Sequence, residues 1–491
     1  MGPLYLADAL SRVGIQTHLL PVKSGTKALD DLISRTDPIA AGMSVMTSPD
    51  LVEFVEASMH IQETYNNANR NGHDNKRPPL PVLWGGMHAT ILQEQTAQEP
   101  YINYVFSGES EASLPLFLLR MVGDPRAKHL TDDDIFLPGS SEKLKLVRTP
   151  LTLDDYQPDW SRVHLPDLLF PEEHSVHSKK ALERGATKHD IFYYMLTSRG
   201  CTYKCDFCWE IARTAALQEE QRILGTGDDY TWRAHSLSWI ERQLDMLHER
   251  LGANGRTFDG IGVWDDMPFG KNQAHRERAR ALFSMMRDRD FGYLLEVRAN
   301  QLIKTSGFWH GGSEREADLY KFLKETGCLQ VFVGAESASQ ETLNTIIKKG
   351  TKVADYRRLV EISQDVRLPI RYSIIVGFPG ETDASVNETL DFVDEMREEP
   401  FISISGPKLA TPYPRTGLYW RAMARGLKEP KTTVEWARIN RYTNYQDLFP
   451  WLREDLRPQT LERIDSYFNQ IDSERKRQAN VNRIYELVRA H

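Results

Sequence analysis

Three of the four cysteines in this 491-residue chain, Cys201, Cys205 and Cys208, lie within eight consecutive residues. Thiolates are soft ligands, and several of them at short spacing on a loop suit an iron–sulfur cluster. Three thiolates bind three irons of a four-iron cube and leave the fourth iron open to a small ligand. The spacing therefore predicts a 4Fe-4S cluster on these three cysteines.

A structural zinc site and a disulfide are the alternatives that the cysteines leave open. Zinc would require a fourth Cys or His at finger spacing, and the remaining cysteine, Cys328, lies far downstream. An odd number of cysteines in one tight loop pairs poorly, and no secretory context favours oxidation. We therefore favour the cluster.

The elements on either side of the cysteine loop must position it. In residues 190–426, which contain the loop, strand-like patterns alternate with helical ones. This alternation predicts an α/β fold with a partial (β/α)6 barrel of the TIM type, whose functional groups gather at the carboxyl ends of its strands. The predicted strands are 191–197, 258–264, 293–298, 329–334, 370–377 and 402–406, and the predicted helices are 237–251, 274–290, 317–326, 353–366 and 385–396.

Polar and glycine-rich motifs follow several of these predicted strands, and each also has an ordinary structural explanation. Asp265 and Asp266 would suit a helix cap or an acidic turn. Glu336 would pair with a lysine, and Glu381 would favour the dipole of a helix N-terminus. The residues that we single out at the strand ends are Asp265, Asp266, Arg298, Glu336, Ser337, Gly377 and Phe378.

Taken in order, these motifs resemble those of radical S-adenosylmethionine (SAM) enzymes. The Cys-x3-Cys-x2-Cys pattern with an aromatic residue, Phe207, before the last cysteine is similar to their cluster loop. The resemblance implies that SAM chelates the open iron through its amino and carboxylate groups. It also assigns the SAM-binding residues: Asp265 or Asp266 at the methionine amino group, Arg298 at the carboxylate or ribose, Glu336 and Ser337 at the ribose, and Phe207, Gly377 and Phe378 at the adenine.

Residues 1–125 predict a second α/β unit. Strand-like runs at 39–46, 81–84 and 102–106 alternate with helical patterns, which indicates a flavodoxin-like, Rossmann-type parallel sheet. Ligands of such sheets bind beyond the carboxyl ends of the strands. Gly85, Gly86 and Gly108 occupy such ends, where bare backbone allows a large flat ligand to approach.

These glycines belong to two motifs that resemble the cobalamin-binding domains fused to radical SAM enzymes. The resemblance implies cobalamin contacts from Ser44, Gly85, Gly86, His88, Gly108 and Glu109, with His88 beside the corrin rather than on cobalt. Two departures stand out. The chain begins inside the first helix, so we expect that a first strand is missing, and it lacks the Asp-x-His-x-x-Gly loop that supplies a lower cobalt ligand in some cobalamin proteins.

The two remaining segments carry weaker signals. Residues 126–189 form an irregular connector, whose histidines share no metal spacing and are expected to be exposed: His164, His174, His177 and His189. Residues 427–491 form a helical C-terminal region with an aromatic face and an amphipathic helix over 459–489. An aromatic stripe usually packs in a core. By resemblance, however, such a tail closes the barrel and is where substrate selectivity would lie.

Composition narrows the class of protein. The net charge of −8 and the pI near 6.0 give no basic surface for nucleic acid. No apolar run reaches transmembrane length and no signal-peptide pattern opens the chain, so we expect a cytoplasmic protein with no membrane partner. A reducing cytosol also suits free cysteines and an oxygen-sensitive cluster.

Together these features predict a cobalamin-dependent radical SAM enzyme with three cofactors: a 4Fe-4S cluster, SAM and cobalamin. By resemblance, it would methylate an unactivated carbon of a small molecule or natural-product intermediate, through a 5′-deoxyadenosyl radical and methylcobalamin. An electron donor such as flavodoxin or ferredoxin would reduce the cluster. The alternatives are a cobalamin-using cyclase or rearrangement enzyme and, in another class, a non-catalytic cobalamin or redox sensor.

Overall fold

A computed structural model describes residues 2–67, 79–131, 144–145, 153–158, 192–224, 231–253, 260–303, 316–439 and 448–468. The four connector histidines and two aromatic residues of the predicted tail face, Tyr442 and Tyr445, lie outside these ranges. Within the ranges, none of the helices combines the length and the apolar character that a membrane crossing requires.

The N-terminal part contains a parallel sheet of four strands in the order β1-β2-β3-β4. The strands are β1 (Ala41–Ser44), β2 (Val82–Gly85), β3 (Tyr104–Phe106) and β4 (Leu144–Lys145), so the last strand comes from the segment predicted as connector. The helices around the sheet are Gly2–Arg12, Gly25–Thr36, Leu51–Ile61, Met87–Ile91, Gln93–Gln98 and Ser113–Met121, and a π-helical turn, Gln62–Asn67, extends the third of them.

This sheet is buried on both faces, as parallel sheets usually are. Val82, Trp84 and Val105 are fully buried at its centre. Strand β1 lies at the edge, and the apolar side chains that flank it, Ile39 and Met46, are exposed.

The second parallel sheet is the predicted half-open barrel, in the order β5-β8-β9-β10-β11-β12. Its strands are β5 (Phe192–Met195), β8 (Gly260–Val263), β9 (Tyr293–Arg298), β10 (Cys328–Glu336), β11 (Ile370–Val376) and β12 (Ile402–Leu409). The strand β6 (Ser198–Arg199), which comes directly before the cysteine loop in the chain, pairs with β7 (Arg233–Ala234) in a short antiparallel ribbon. The helices of this part are Trp209–Leu224, Leu237–Ala253, Gln273–Arg287, Ala299–Leu302, Glu316–Glu325, Val353–Val366 and Asp383–Met396.

Barrel strands alternate between a packed outer face and an accessible inner face. On β9 the side chains of Tyr293 and Leu295 are fully buried against the helices, whereas Leu294 and Glu296 between them are partly accessible. The same alternation places Trp264, directly after β8, on the inner side, where it is 52% exposed. Some inward side chains of the barrel wall are therefore accessible rather than packed in a core.

The C-terminal helices are Gly417–Met423, Thr433–Arg438, Pro450–Asp455 and Pro458–Phe468. They connect both parts of the molecule. Trp436 donates from Nε1 to Gln95 Oε1 of the N-terminal part at 2.8 Å, and Trp451 donates from Nε1 to the Gly377 carbonyl at 2.9 Å. The aromatic side chains of this region that the structure describes are mainly core residues, since Trp436, Phe449 and Trp451 are all buried.

Candidate functional site

The entry to the cysteine loop is fixed by Asp265. Its carboxylate accepts hydrogen bonds from the Thr197 amide at 2.6 Å, the Thr197 hydroxyl at 2.6 Å and the Ser198 hydroxyl at 2.7 Å. Asp265 is 1% exposed, and burial raises the pKa of its carboxyl although these bonds oppose the shift. Both oxygens of Asp265 are thus committed to the backbone turn that leads to Cys201.

Asp266 occupies a different environment from its neighbour. Its side chain is accessible at the barrel mouth, yet burial in the surrounding protein and the nearby charge of Glu210 raise the pKa of its carboxyl to about 7. Of the two predicted contacts for the SAM amino group, Asp266 is therefore the one whose carboxyl can reach a ligand. Its role as a ligand contact remains a prediction.

The cysteine loop is tied to two later parts of the barrel through Asp206. The Asp206 amide donates to the Ile347 carbonyl at 3.0 Å, and the Asp206 carbonyl accepts from the Leu418 amide at 2.9 Å. The Asp206 carboxylate also pairs with Lys348 at 2.7 Å. Within the loop, the Cys208 amide donates to the Cys205 carbonyl at 3.0 Å. Long-range contacts therefore hold the loop open without relying on a disulfide.

All four cysteines are free thiols. Burial, with smaller contributions from the neighbouring Asp266 and Cys205, raises the pKa of Cys201 to about 12. No three Cys, His, Asp or Glu side chains in the described ranges converge tightly enough for one metal ion, which gives the zinc alternative no support there. A four-iron cube spreads its thiolates more widely than a single ion does. Cys328 is buried away from the loop and contacts the Gln330 carbonyl from Sγ at 3.6 Å.

Arg298, at the end of β9, approaches the cysteine loop directly. Its Nη1 lies 2.6 Å from Cys205 Sγ, and its guanidinium lies 3.7 Å from the ring centroid of Tyr203. Nη2 also donates to the carbonyl of Lys349. The guanidinium therefore supplies positive charge and N–H donors beside a predicted cluster ligand, a position that the sequence motif did not reveal.

Glu336 ends β10 in the left-handed region, with φ of 66°. A non-glycine residue there is under strain that the surrounding structure must offset, and such residues concentrate at functional sites. Its Oε1 pairs with Lys349 Nζ at 3.2 Å, while buried Oε2 has no hydrogen-bond partner among the described residues. One carboxylate oxygen is thus available to a ligand hydroxyl.

Ser337, predicted beside Glu336 at the ribose, is turned towards the protein. Its hydroxyl lies 3.0 Å from Thr389 Oγ1 and accepts from the Ser339 amide at 3.1 Å. It is fully buried, so its present contacts shape the loop after β10.

The motif after β11 is organised by Glu381. Its Oε2 accepts from the amides of Gly377 and Phe378 at 2.8 and 3.0 Å, and its Oε1 accepts from the Thr342 hydroxyl at 3.3 Å. Gly377 has φ of 79°, and a Cβ there would lie 2.7 Å from Leu452 of the C-terminal region, so glycine is required. Phe378 reaches the cysteine loop, with its ring 6.1 Å from that of Phe207.

The buried Glu381 carboxyl predicts a pH-dependent stability. Burial raises its pKa to about 7, from 4.5. Between these values the folded chain binds more protons than the unfolded chain, so the contribution of Glu381 to stability falls as pH rises from about 4.5 to 7. Glu381→Gln should flatten this slope and raise the unfolding free energy at pH 8, relative to pH 5, by up to about 3 kcal/mol.

Urea unfolding of the native chain and the variant at pH 5 and pH 8 checks this expectation. Glu361→Gln, which removes an exposed carboxylate paired with Arg358, is the matched control. An unchanged pH slope in Glu381→Gln would show that Glu381 is ionised in the folded chain throughout this range.

Two charged residues of the barrel interior were not singled out from the sequence. Glu296 on β9 forms no hydrogen bond with a described residue, and burial together with Glu336 raises the pKa of its carboxyl to about 7. The positive charge of Lys408 on β12 acts on Glu296 and partly opposes this rise in its pKa. A charged residue at an inward position of an otherwise apolar strand was the available signal for Glu296. With exposed Trp264, these side chains make the interior aromatic on one side and charged on another.

The carboxyl edge of the N-terminal sheet contains the residues predicted for cobalamin. Gly86 has φ of 89°, and a Cβ there would lie 2.8 Å from the backbone of Val45 and 3.1 Å from Ser44 Oγ. His88 is fully buried, its Nδ1 bonds to Thr47 Oγ1 at 3.0 Å, and burial lowers its pKa to about 3. Its Nε2 has no hydrogen-bond partner among the described residues.

The next motif at this edge reaches the other sheet. The Gly108 amide donates to Thr90 Oγ1 at 2.9 Å, which fixes the turn after β3. The following residue, Glu109, pairs with Arg199 and Arg233 of the ribbon before the cysteine loop, at 3.3 and 2.5 Å. The structure thus brings the predicted cobalamin edge and the predicted cluster loop together.

Comparison with known proteins agrees with this geometry. Residues 195–393 match the model of the Radical SAM superfamily. This part of the chain is therefore similar to radical SAM domains. A solved structure of the radical SAM methyltransferase TsrM from Kitasatospora setae, with cobalamin and a [4Fe-4S] cluster bound, aligns with a TM-score of 0.53 at 17% identity, over 87% of this chain and 73% of that one. The fold class predicted from the sequence is thereby confirmed, and the matched region coincides with the predicted radical SAM barrel.

Two sequence relatives are named as methyltransferases. An uncharacterized methyltransferase, PH0819, of Pyrococcus horikoshii is 26% identical over 395 residues, which cover 79% of this chain and 72% of that protein. Cytidylyl-2-hydroxyethylphosphonate methyltransferase of Streptomyces wedmorensis is 20% identical over 467 residues, which cover 88% of this chain and 79% of that protein. Both alignments extend well beyond the radical SAM region of this chain.

Proposed function

We propose that this chain is a cobalamin-dependent radical SAM methyltransferase that methylates an unactivated carbon of a small molecule. The observation that carries the proposal is the meeting of two predicted cofactor sites. The glycine edge of the N-terminal sheet contacts, through Glu109, the ribbon that leads into the three-cysteine loop. Relatives named as methyltransferases, aligned over 79% and 88% of this chain, support the reaction class.

The barrel mouth offers suitable residues for a cluster and SAM. Cys201, Cys205 and Cys208 would bind three irons, and the guanidinium of Arg298 would offset the negative charge of the thiolates. Asp266 would accept from the SAM amino group, and Glu336 Oε2 from a ribose hydroxyl. When bound, the cluster supplies the electron that cleaves SAM, and the corrinoid carries the methyl group.

Two features of the N-terminal edge would suit a corrinoid. Gly86 leaves bare backbone at the end of β2, and buried His88 Nε2 is an unused polar atom at the same edge. His88 is held by Thr47 and by a backbone bond to Val45, so it would contact the ligand edge rather than rotate onto a metal. We therefore expect that His88 would hold the edge of a bound corrinoid and would not itself ligate cobalt.

The inner face of the barrel is the proposed substrate site. Trp264 would supply a flat apolar surface, and Glu296 would supply a polar contact. The C-terminal region would close the site, because Trp451 and Leu452 pack on the loop at Gly377. Closure of this kind excludes water from a reactive intermediate, which is what radical chemistry requires.

Methyl transfer from SAM to a corrinoid can be tested before the substrate is known. Anaerobically reconstituted protein, with and without added hydroxocobalamin, is incubated with SAM and a reductant, and S-adenosylhomocysteine is quantified. We expect its formation to depend on cobalamin. Cobalamin-independent or absent S-adenosylhomocysteine would remove methyl transfer from the proposal.

The coordination of cobalt needs a second measurement. Electron paramagnetic resonance of the cob(II)alamin-loaded chain should show no nitrogen superhyperfine splitting from an axial ligand. A splitting that disappears in His88→Phe would show instead that His88 ligates cobalt.

A further inference from the structure

Arg199 lies between two acidic side chains of the other domain. Its Nη2 pairs with Glu111 Oε1 at 2.8 Å and its Nη1 with Glu109 Oε1 at 3.3 Å, while Arg233 pairs with the same Glu109 oxygen at 2.5 Å. The Arg199 guanidinium also lies 4.8 Å from the ring centroid of Tyr5. Three residues of the N-terminal part, Glu109, Glu111 and Tyr5, therefore contact one guanidinium of the ribbon.

This group of charges is removed from water. The side chains of Arg199, Glu109 and Glu111 are only 13%, 10% and 7% exposed. Burial opposes ionisation, yet Arg199 and Arg233 hold the pKa of Glu109 below its ordinary value. Removing one partner of a buried ion pair leaves an uncompensated charge, which is strongly destabilising. The pairing therefore constrains the two domains far more than a surface salt bridge would.

Arg199 is also next to the cluster loop in the chain. It belongs to β6, whose backbone pairs with Arg233–Ala234, and Cys201 follows two residues later. The preceding residues, Thr197 and Ser198, are held by Asp265. If the backbone of Arg199 moved, Cys201 would therefore move with it, because no flexible segment separates the two residues.

The other end of the contact is next to the predicted corrinoid edge. Glu109 follows Gly108, whose amide is fixed by Thr90, and Glu111 begins the turn into the helix Ser113–Met121. Glu109 was predicted as a cobalamin contact, but one of its oxygens is already shared between two arginines. Its present contacts couple the sheet edge to the barrel.

We propose that Arg199 is a positioning residue. Because Glu109 and Glu111 hold its guanidinium, Arg199 couples the glycine edge of the N-terminal sheet to the conformation of the cysteine loop. The inference rests on the proposed function for the identity of the two cofactors. Coupling between two binding sites is reciprocal, so a cluster in the loop should tighten corrinoid binding, and a corrinoid should stabilise the loop. Lysine cannot replace Arg199, because an ammonium cannot span two carboxylates as a guanidinium fork does.

The first experiment uses hydrogen exchange of the cluster-free chain and does not depend on cobalamin. Peptides covering 198–208 are compared in the native chain, Glu111→Gln and Arg199→Lys. We expect protection to fall by roughly tenfold or more in both variants, because each breaks a buried pair. Glu219→Gln, which removes an exposed pair with Arg222, is the control and should leave these peptides unchanged. Unchanged protection in both test variants would overturn the inference.

The second experiment separates coupling from simple support of the fold. The dissociation constant for hydroxocobalamin is measured with and without the reconstituted cluster. We expect the native chain and Glu219→Gln to bind about fivefold or more tightly with the cluster. In Arg199→Lys and Glu111→Gln this ratio should approach one, even where each variant still binds both groups.

A preserved ratio in both variants would contradict the coupling. If a variant fails to fold, Glu111→Asp decides, because it keeps the charge but shortens the side chain that reaches Arg199: lower exchange protection of 198–208 supports the contact, and unchanged protection opposes it. If no form of the chain binds hydroxocobalamin, the proposed function fails, while the exchange experiment still tests the contact between the domains.

Discussion

Replacing any one of Cys201, Cys205 and Cys208 by alanine should abolish the iron–sulfur cluster. The three thiols share one loop that is fixed from both sides by Asp206. A site with three ligands has none to spare, so each variant should lose about four irons and four sulfides per chain after anaerobic reconstitution. Iron and acid-labile sulfide analysis, with electron paramagnetic resonance of the reduced protein, measures this loss.

Cys328→Ala is the matched control. Cys328 is buried in the barrel wall at the start of β10 and lies outside the loop. The Cys328→Ala protein should retain full cluster content, and the small cavity left by the substitution should lower its stability only modestly. A Cys201→Ala protein with full cluster content would contradict the assignment, as would loss of the cluster in a folded Cys328→Ala protein.

Asp265→Ala and Asp266→Asn should have different effects, because Asp265 stabilises the loop entry and Asp266 is the predicted SAM contact. Asp265 holds three donors of Thr197 and Ser198 in a buried setting. Its removal leaves them unsatisfied and should lower the unfolding free energy by roughly 3 kcal/mol or more. The loop entry should loosen, so cluster retention should fall as well.

Asp266→Asn should not lower the unfolding free energy, because the ionised carboxylate is disfavoured in the folded chain, and it should weaken SAM binding instead, by about tenfold for a lost charge-assisted hydrogen bond. Urea unfolding of the cluster-free chain and equilibrium dialysis with SAM of the reconstituted chain provide the two measurements. The account would be wrong if Asp265→Ala unfolded like the native chain, or if Asp266→Asn lost stability but bound SAM normally.

Motif spacing was enough to predict which chain segments meet at the barrel mouth. The alternation of strands and helices orders the barrel, and parallel strands bring their carboxyl ends to one edge. Cys201 comes after β5, and Arg298 and Glu336 end β9 and β10, so all three lie at that edge.

The same spacing could not show which way a side chain turns. Asp265 and Asp266 look equivalent in the sequence, but the turn at Thr197 directs one carboxylate into the backbone and leaves the other accessible. Ser337 likewise bonds to Thr389, a residue 52 positions away. Such choices depend on contacts between distant segments, which no local pattern encodes.

The N-terminal sheet was harder to predict because its strands are short. The helix Gly25–Thr36 and the strand Leu144–Lys145 were not anticipated: the helix has only one buried side chain, and the strand has only two residues. The ion pairs of Glu109 with Arg199 and Arg233 span 90 and 124 positions, so their partners could be recognised only in the folded chain.

Reductive cleavage of SAM is the most direct measurement of the central claim. Anaerobically reconstituted native chain and Cys201→Ala are incubated with SAM and dithionite, and 5′-deoxyadenosine is quantified by mass spectrometry. The account predicts 5′-deoxyadenosine from the native chain and from Cys328→Ala, and none above background from Cys201→Ala. If a native chain with a full cluster formed no 5′-deoxyadenosine, or if Cys201→Ala formed as much as the native chain, the radical SAM account of this site would be contradicted.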